Sequence, residues 1–183
     1  GDAGNTKYSP LDQINAKNVK DLAIAWRWKA ENFGPRADYN WEVTPLMIRG
    51  VLYFTAGSRR DVVAVDGATG ETLWMYRLDE GERGDRAVRT QNRGLAYWTD
   101  GKGDNRIVLI TPGFQLVALD AKTGRAIPTF GKDGIVDLTE GLDRAVVKPG
   151  QIGSSSPPIV IRDVVVTGAA LLAGTAPASK ENV

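Results

Sequence analysis

The chain contains no cysteine and no histidine. These absences exclude disulfides, thiolate nucleophiles, imidazole-based metal sites and every triad or general base built on imidazole. Its chemistry must come from carboxylates, arginines, hydroxyls or a bound cofactor. Neither charge sign dominates, because 23 Lys and Arg face 22 Asp and Glu in scattered positions. No nucleic-acid partner is therefore expected. No apolar run approaches a membrane span, and the opening GDAGNTKYSP has neither the basic start nor the apolar stretch of a signal peptide.

What is present is punctuation. The 183 residues include 21 Gly and 9 Pro, set between short β-rich runs, and 42% of the chain is hydrophobic, enough for one substantial core. An all-β fold is expected, with strands over 23–29, 44–48, 51–56, 61–66, 72–77, 94–98, 106–111, 115–120, 158–162 and 164–168. One short helix is expected near 15–22.

Internal repetition gives these strands an architecture. Val63-Ala64-Val65-Asp66-Gly67-Ala68-Thr69-Gly70 returns as Val117-Ala118-Leu119-Asp120-Ala121-Lys122-Thr123-Gly124, a shift of 54 residues. Pro45-Leu46-Met47-Ile48-Arg49-Gly50-Val51 returns as Pro158-Ile159-Val160-Ile161-Arg162-Asp163-Val164, a shift of 113 residues, close to twice the first. Each unit is expected to hold four antiparallel strands, with Asp-x-x-Thr-Gly joining the third to the fourth. Gly70 and Gly124 suit a left-handed turn residue, and the Asp and Thr side chains can bond nearby amides. Four short strands at this period describe a β-propeller blade, against the alternative of a β-sandwich with one coincidental hairpin likeness.

The 183 residues hold only about 3.4 such repeats, so a partial propeller is expected, about three of about eight blades. Residues 1–43 form a leading segment whose strand 23–29 belongs to the closing blade. Residues 44–80 form the first blade, 81–135 the second, and 136–183 the start of a third, with the remaining blades supplied by chain beyond Val183.

Ordered motifs extend the reading. Lys7-Tyr8-Ser9-Pro10-Leu11-Asp12-Gln13-Ile14-Asn15, Trp41-Glu42-Val43-Thr44-Pro45-Leu46, Thr69-Gly70 with Trp74, and Asn92-Arg93-Gly94-Leu95-Ala96-Tyr97-Trp98 follow one another. This set resembles the N-terminal part of the pyrroloquinoline quinone (PQQ) dependent dehydrogenases, with the glucose or sugar dehydrogenase branch as the nearest variant. The resemblance implies a periplasmic enzyme, free or membrane-associated, that oxidises an alcohol or sugar hydroxyl. It further implies PQQ and Ca²⁺ as cofactors and a cytochrome c or membrane quinone as electron acceptor.

Three cofactor-binding positions follow from the resemblance. Arg93 matches the arginine that bonds the cofactor near its quinone oxygens, where a planar guanidinium suits growing negative charge. Glu42 matches a glutamate that faces the cofactor and can orient Arg93. Ser155 takes the place of a threonine that bonds a cofactor carboxylate, with Ser154 and Ser156 as neighbours able to do the same. Two departures are informative: Ala87 and Val88 stand where methanol-oxidising members carry a cysteine pair, and Ala169-Ala170-Leu171-Leu172-Ala173 offers no carboxylate where those members place a Ca²⁺ ligand. The metal ligands stay open, among residues beyond Val183, the cofactor itself, or a loop carrying Glu181 and Asn182. The catalytic base is expected downstream. A noncatalytic protein-binding propeller and an inactive truncated product are the competing readings.

Overall fold

The computed structural model describes residues 10–30, 33, 41–87, 93–146 and 148–171. Two four-stranded antiparallel sheets dominate it, each in simple sequence order. The first comprises β1 (Leu46–Ile48), β2 (Val51–Ala56), β3 (Asp61–Asp66) and β4 (Thr72–Tyr76); the second comprises β5 (Ala96–Thr99), β6 (Asn105–Ile110), β7 (Gln115–Asp120) and β8 (Ile135–Asp137). A third unit holds the hairpin β10 (Ile159–Ile161) and β11 (Val164–Val166), plus a short ladder between β9 (Ile152–Gly153) and β12 (Ala170–Leu171). Pro157 and Pro158 lack the N–H that a continuous ladder needs, and they fall between β9 and β10. These are successive blades of a partial propeller.

The sequence runs explain the stacking. In β3 and β7 the Val-Val-Ala-Val and Leu-Val-Ala-Leu runs are buried on both faces, as a strand sandwiched between two apolar layers requires. One layer joins Tyr53, Val62 and Ala64 of the first blade to Ile107, Leu109, Val117 and Leu119 of the second. A second layer places Val108, Ile110 and Phe114 against Ile152, Val160 and Val165 of the third unit. On the outer side of the first blade, Phe54, Val63 and Val65 are covered by Trp26 and Trp28.

Tryptophans staple the blades at the Asp-x-x-Thr-Gly turns. Asp66 accepts from the amides of Ala68 and Thr69 at 2.9 and 2.8 Å, and Asp120 does the same for Lys122 and Thr123 at 3.1 and 2.7 Å. The Trp26 indole donates to the Gly67 carbonyl at 3.1 Å, and the Trp74 indole donates to the Ala121 carbonyl at the same distance. Each ring lies on the turn glycine, so that a Cβ at Gly70 would stand 2.6 Å from Trp26 and one at Gly124 would run into Trp74. Both glycines also hold positive φ, 76° and 69°.

Several expectations need correction. The segment 23–29 carries no strand, because no described strand pairs with its backbone; its indoles dock on the first blade instead. The helix near 15–22 reduces to a single 3₁₀ turn, Val19–Asp21. A four-residue helix, α1 (Glu82–Asp85), and the strands β8, β9 and β12 were not expected. Val88, Asn92, Glu181 and Asn182 lie outside the described residues.

Candidate functional site

Strand directions decide which loops share an end. Leu46 pairs with Tyr53 and Ala56 with Asp61, so the start of β1 and the β2–β3 turn lie at one end, called here the upper end. The β6–β7 turn and the connections leaving β4 and β8 lie there too. The Asp-x-x-Thr-Gly turns lie at the opposite end.

Glu42, Arg93 and Ser155 meet at this upper end, one from the leading edge of each unit. The Thr44 amide donates to the Arg93 carbonyl at 2.9 Å, and the Arg93 amide donates to the Ser155 carbonyl at 3.1 Å. Thr44 and Gly94 thereby form a parallel bridge. A Cβ at Gly94 would stand 2.9 Å from the Thr44 carbonyl oxygen, and φ there is +147°, so glycine after Arg93 permits the close approach. The Arg93 side chain turns back on Glu42, with Nε 3.3 Å from Oε2. At 62% and 43% side-chain exposure this ion pair contributes little to stability, about 0–1 kcal/mol. Ser155 is partly exposed, whereas Ser154 is buried and its hydroxyl donates to the Ser156 carbonyl at 3.4 Å.

Behind this edge lies a group that motif reading missed. Arg60, in the β2–β3 turn, is 2% exposed. Its guanidinium donates through Nη1 to the Ile110 carbonyl at 2.8 Å and through Nη2 to the Ser154 carbonyl at 2.6 Å, linking all three units. Burial pushes its pKa down to about 10, and the Glu80 carboxylate opposes that shift, so the group stays charged at neutral pH. The signal was available in the repeat, because the 54-residue shift sets Arg60 opposite Phe114.

The loop after β4 is tied down beside these groups. Glu80 accepts from the Thr111 hydroxyl at 2.5 Å and from the Gly113 amide at 2.8 Å. Arg83 grips Asp137 through two nitrogens at 2.6 and 2.7 Å and also donates to the Gly113 carbonyl. That grip, with help from Thr139, holds the Asp137 carboxyl well below the usual carboxylate range. Asp61 differs: it is 2% exposed, its Oδ2 lies 3.0 Å from Arg77 Nε, and its Oδ1 has no hydrogen-bond partner among the described residues. Burial raises its pKa against the pull of Arg77 and Arg59. Among the described residues, no three Asp or Glu side chains gather into a metal site.

Comparison with known proteins identifies the family of the chain. The family described as "PQQ: Glucose/ethanol/alcohol dehydrogenase, beta-propeller domain" matches residues 1–183. The large subunit of glycerol dehydrogenase from Gluconobacter thailandicus is 32% identical over 182 residues, covering 94% of this chain and 24% of the relative. Quinoprotein glucose dehydrogenase from Gluconobacter oxydans is 29% identical, over 90% of this chain and 22% of its own length. The crystal structure of quinohemoprotein alcohol dehydrogenase from Comamonas testosteroni superposes with a TM-score of 0.68 and 32% identity, covering 89% of this chain and 21% of that one. The chain thus spans about a quarter of the length of the relatives it matches. With the repeated blades and the matched residues in one order, the chain belongs to the family of PQQ-dependent glucose, ethanol and alcohol dehydrogenases and carries part of their β-propeller domain.

Proposed function

We propose that the intact protein containing this chain is a quinoprotein oxidoreductase that oxidises a hydroxyl of an alcohol or sugar, with PQQ as electron acceptor. The observation that carries this reading is the convergence of Glu42, Arg93 and Ser155, from three successive units, on one open edge. PQQ is a planar, anionic polycarboxylate with quinone oxygens, and it needs a cation, neutral donors and an accessible edge. The donor set fits. Arg93 engages Glu42 through Nε, and its side chain is 62% exposed.

When bound, PQQ supplies the two-electron acceptor for the hydride that leaves the alcohol carbon. The guanidinium of Arg93 would hold the negative charge that grows on a quinone oxygen, and its planar fork suits that task better than an ammonium. Glu42 would fix the rotamer of Arg93, and the Ser155 hydroxyl would donate to a carboxylate. We assign Ca²⁺, its ligands and the proton-abstracting base to parts of the protein outside the described residues, with electrons passing to a cytochrome c or membrane quinone in the periplasm. Further blades of the same protein would cover Ile159, Ile161 and Val164, apolar side chains of the third unit that are 60%, 58% and 60% exposed. The glycerol, glucose and alcohol dehydrogenases that resemble the chain support a hydroxyl of a sugar or alcohol as the group oxidised.

The test is PQQ-dependent dye reduction by the intact gene product with a panel of alcohols and sugars. Arg93→Ala is expected to lower the rate by about 10- to 100-fold, the loss that one charge-assisted hydrogen bond implies. An undiminished rate would remove Arg93 from the site.

A further inference from the structure

Arg60 and Phe114 occupy the same place in consecutive blades. Each closes the turn between the second and third strands, each has positive φ (57° and 64°), and each donates its amide to the carbonyl three residues earlier at 3.1 Å. Both side chains are buried, at 2% and 3% exposure. The blade therefore needs a buried side chain here, and the second blade meets that need with an apolar ring. A guanidinium in the same slot must be stripped of water, which only good hydrogen bonds can offset. The first blade nevertheless carries one, and its bonds to the Ile110 and Ser154 carbonyls cross to the other two units.

The second of those bonds leads to the candidate site. Arg60 holds the Ser154 carbonyl at 2.6 Å; the next carbonyl, of Ser155, accepts the Arg93 amide; the Arg93 carbonyl accepts the Thr44 amide, two residues after Glu42. A buried donor thus stands at the head of a series of contacts that runs through Ser154-Ser155 and Arg93 to Thr44, two residues after Glu42. We propose that Arg60 is a positioning residue, which sets the Ser154-Ser155 backbone and through it the placement of Arg93 and Glu42 for an anionic cofactor. This rests on the PQQ reading for the identity of the ligand, but not for the coupling of Arg60 to the Arg93 and Thr44 amides.

The experiment uses the intact gene product and the variants Arg60→Met, Arg60→Lys and Phe114→Leu. Two quantities are read: PQQ affinity, by quenching of tryptophan fluorescence, and hydrogen exchange at the Arg93 and Thr44 amides without cofactor. Thermal melting reports the fold. Arg60→Met is expected to bind PQQ about tenfold or more weakly and to exchange both amides faster. Arg60→Lys, a point charge that can still reach one carbonyl, is expected to recover part of both losses. Phe114→Leu is expected to lower the melting temperature while leaving affinity and both exchange rates as in the wild type. Wild-type affinity and exchange in Arg60→Met would overturn the proposal. So would a Phe114→Leu variant as impaired as Arg60→Met, because the residue would then act only through stability. Should Arg60→Met not fold, Arg60→Lys decides, and wild-type values in it overturn the proposal. If the wild type itself fails to bind PQQ, the functional reading falls, and the exchange rates alone decide the role of Arg60.

Discussion

The first two blades share a backbone plan and differ at a few side chains, and those differences separate what the fold requires from what is particular to each blade. Both contain a buried pair of central strands, and both close the third strand with Asp-x-x-Thr-Gly. They part at the outer strand. Four residues after the turn glycine the first blade has Trp74, which reaches across to Ala121, whereas the second has Pro128. Proline cannot donate to the ladder. The chain bridges once at Leu119 and Ala126, departs, and rejoins at Ile135 opposite Val117, six residues later than the first blade would prescribe. The detour thus falls on the outer edge and leaves the central strands of both blades regularly paired.

The junction of the first and second blades offers the strongest test of that contrast. Trp74→Ala removes a half-buried indole, its hydrogen bond and its contact with Tyr53 at 5.8 Å between ring centroids. A loss of about 3 kcal/mol in urea unfolding of the intact protein is expected. A loss below about 1 kcal/mol would mean that the staple is incidental. Next in size is Gly124→Ala, which forces a left-handed φ on alanine and a methyl group into the Trp74 ring, for about 2 kcal/mol. Gly101→Ala shares the positive φ of 72° but meets nothing within 4 Å. It should cost only the conformational part, about 1 kcal/mol, and equal losses at the two glycines would break the argument from packing.

The smallest effect concerns pH. The grip of Arg83 lowers the folded pKa of Asp137 below its unfolded value. A depressed carboxyl contributes stability that is present above the unfolded pKa and fades as pH falls through the folded one. Asp137→Asn should therefore lower the melting temperature at neutral pH and flatten its fall below about pH 4, the ordinary Asp range. Parallel acid profiles for the two proteins would contradict the assignment.

These same contrasts show what could be read in advance. The central strands β2, β3, β6 and β7 were legible because burial on both faces leaves continuous apolar runs bounded by turn residues. β8 was not, since its three residues follow a proline-led detour that no local pattern announces. Residues 23–29 look like a strand, yet a strand also needs a partner, which local sequence does not specify. At the site, Glu42, Arg93 and Ser155 could be named only through family motifs, because an exposed Glu, Arg or Ser has no periodic signature of its own. Arg60 had a physical signature, a charge where the repeat otherwise places an aromatic ring, but reading it required the register of the repeat.

The most direct test of the account is equilibrium binding of PQQ to the intact gene product, comparing the wild type with Arg93→Ala and Glu42→Gln. The account predicts saturable binding by the wild type, about tenfold or greater weakening in Arg93→Ala, and a smaller loss in Glu42→Gln, which still accepts a hydrogen bond from Arg93. Equal affinity in all three proteins would contradict the claim that the upper ends of these blades hold the cofactor.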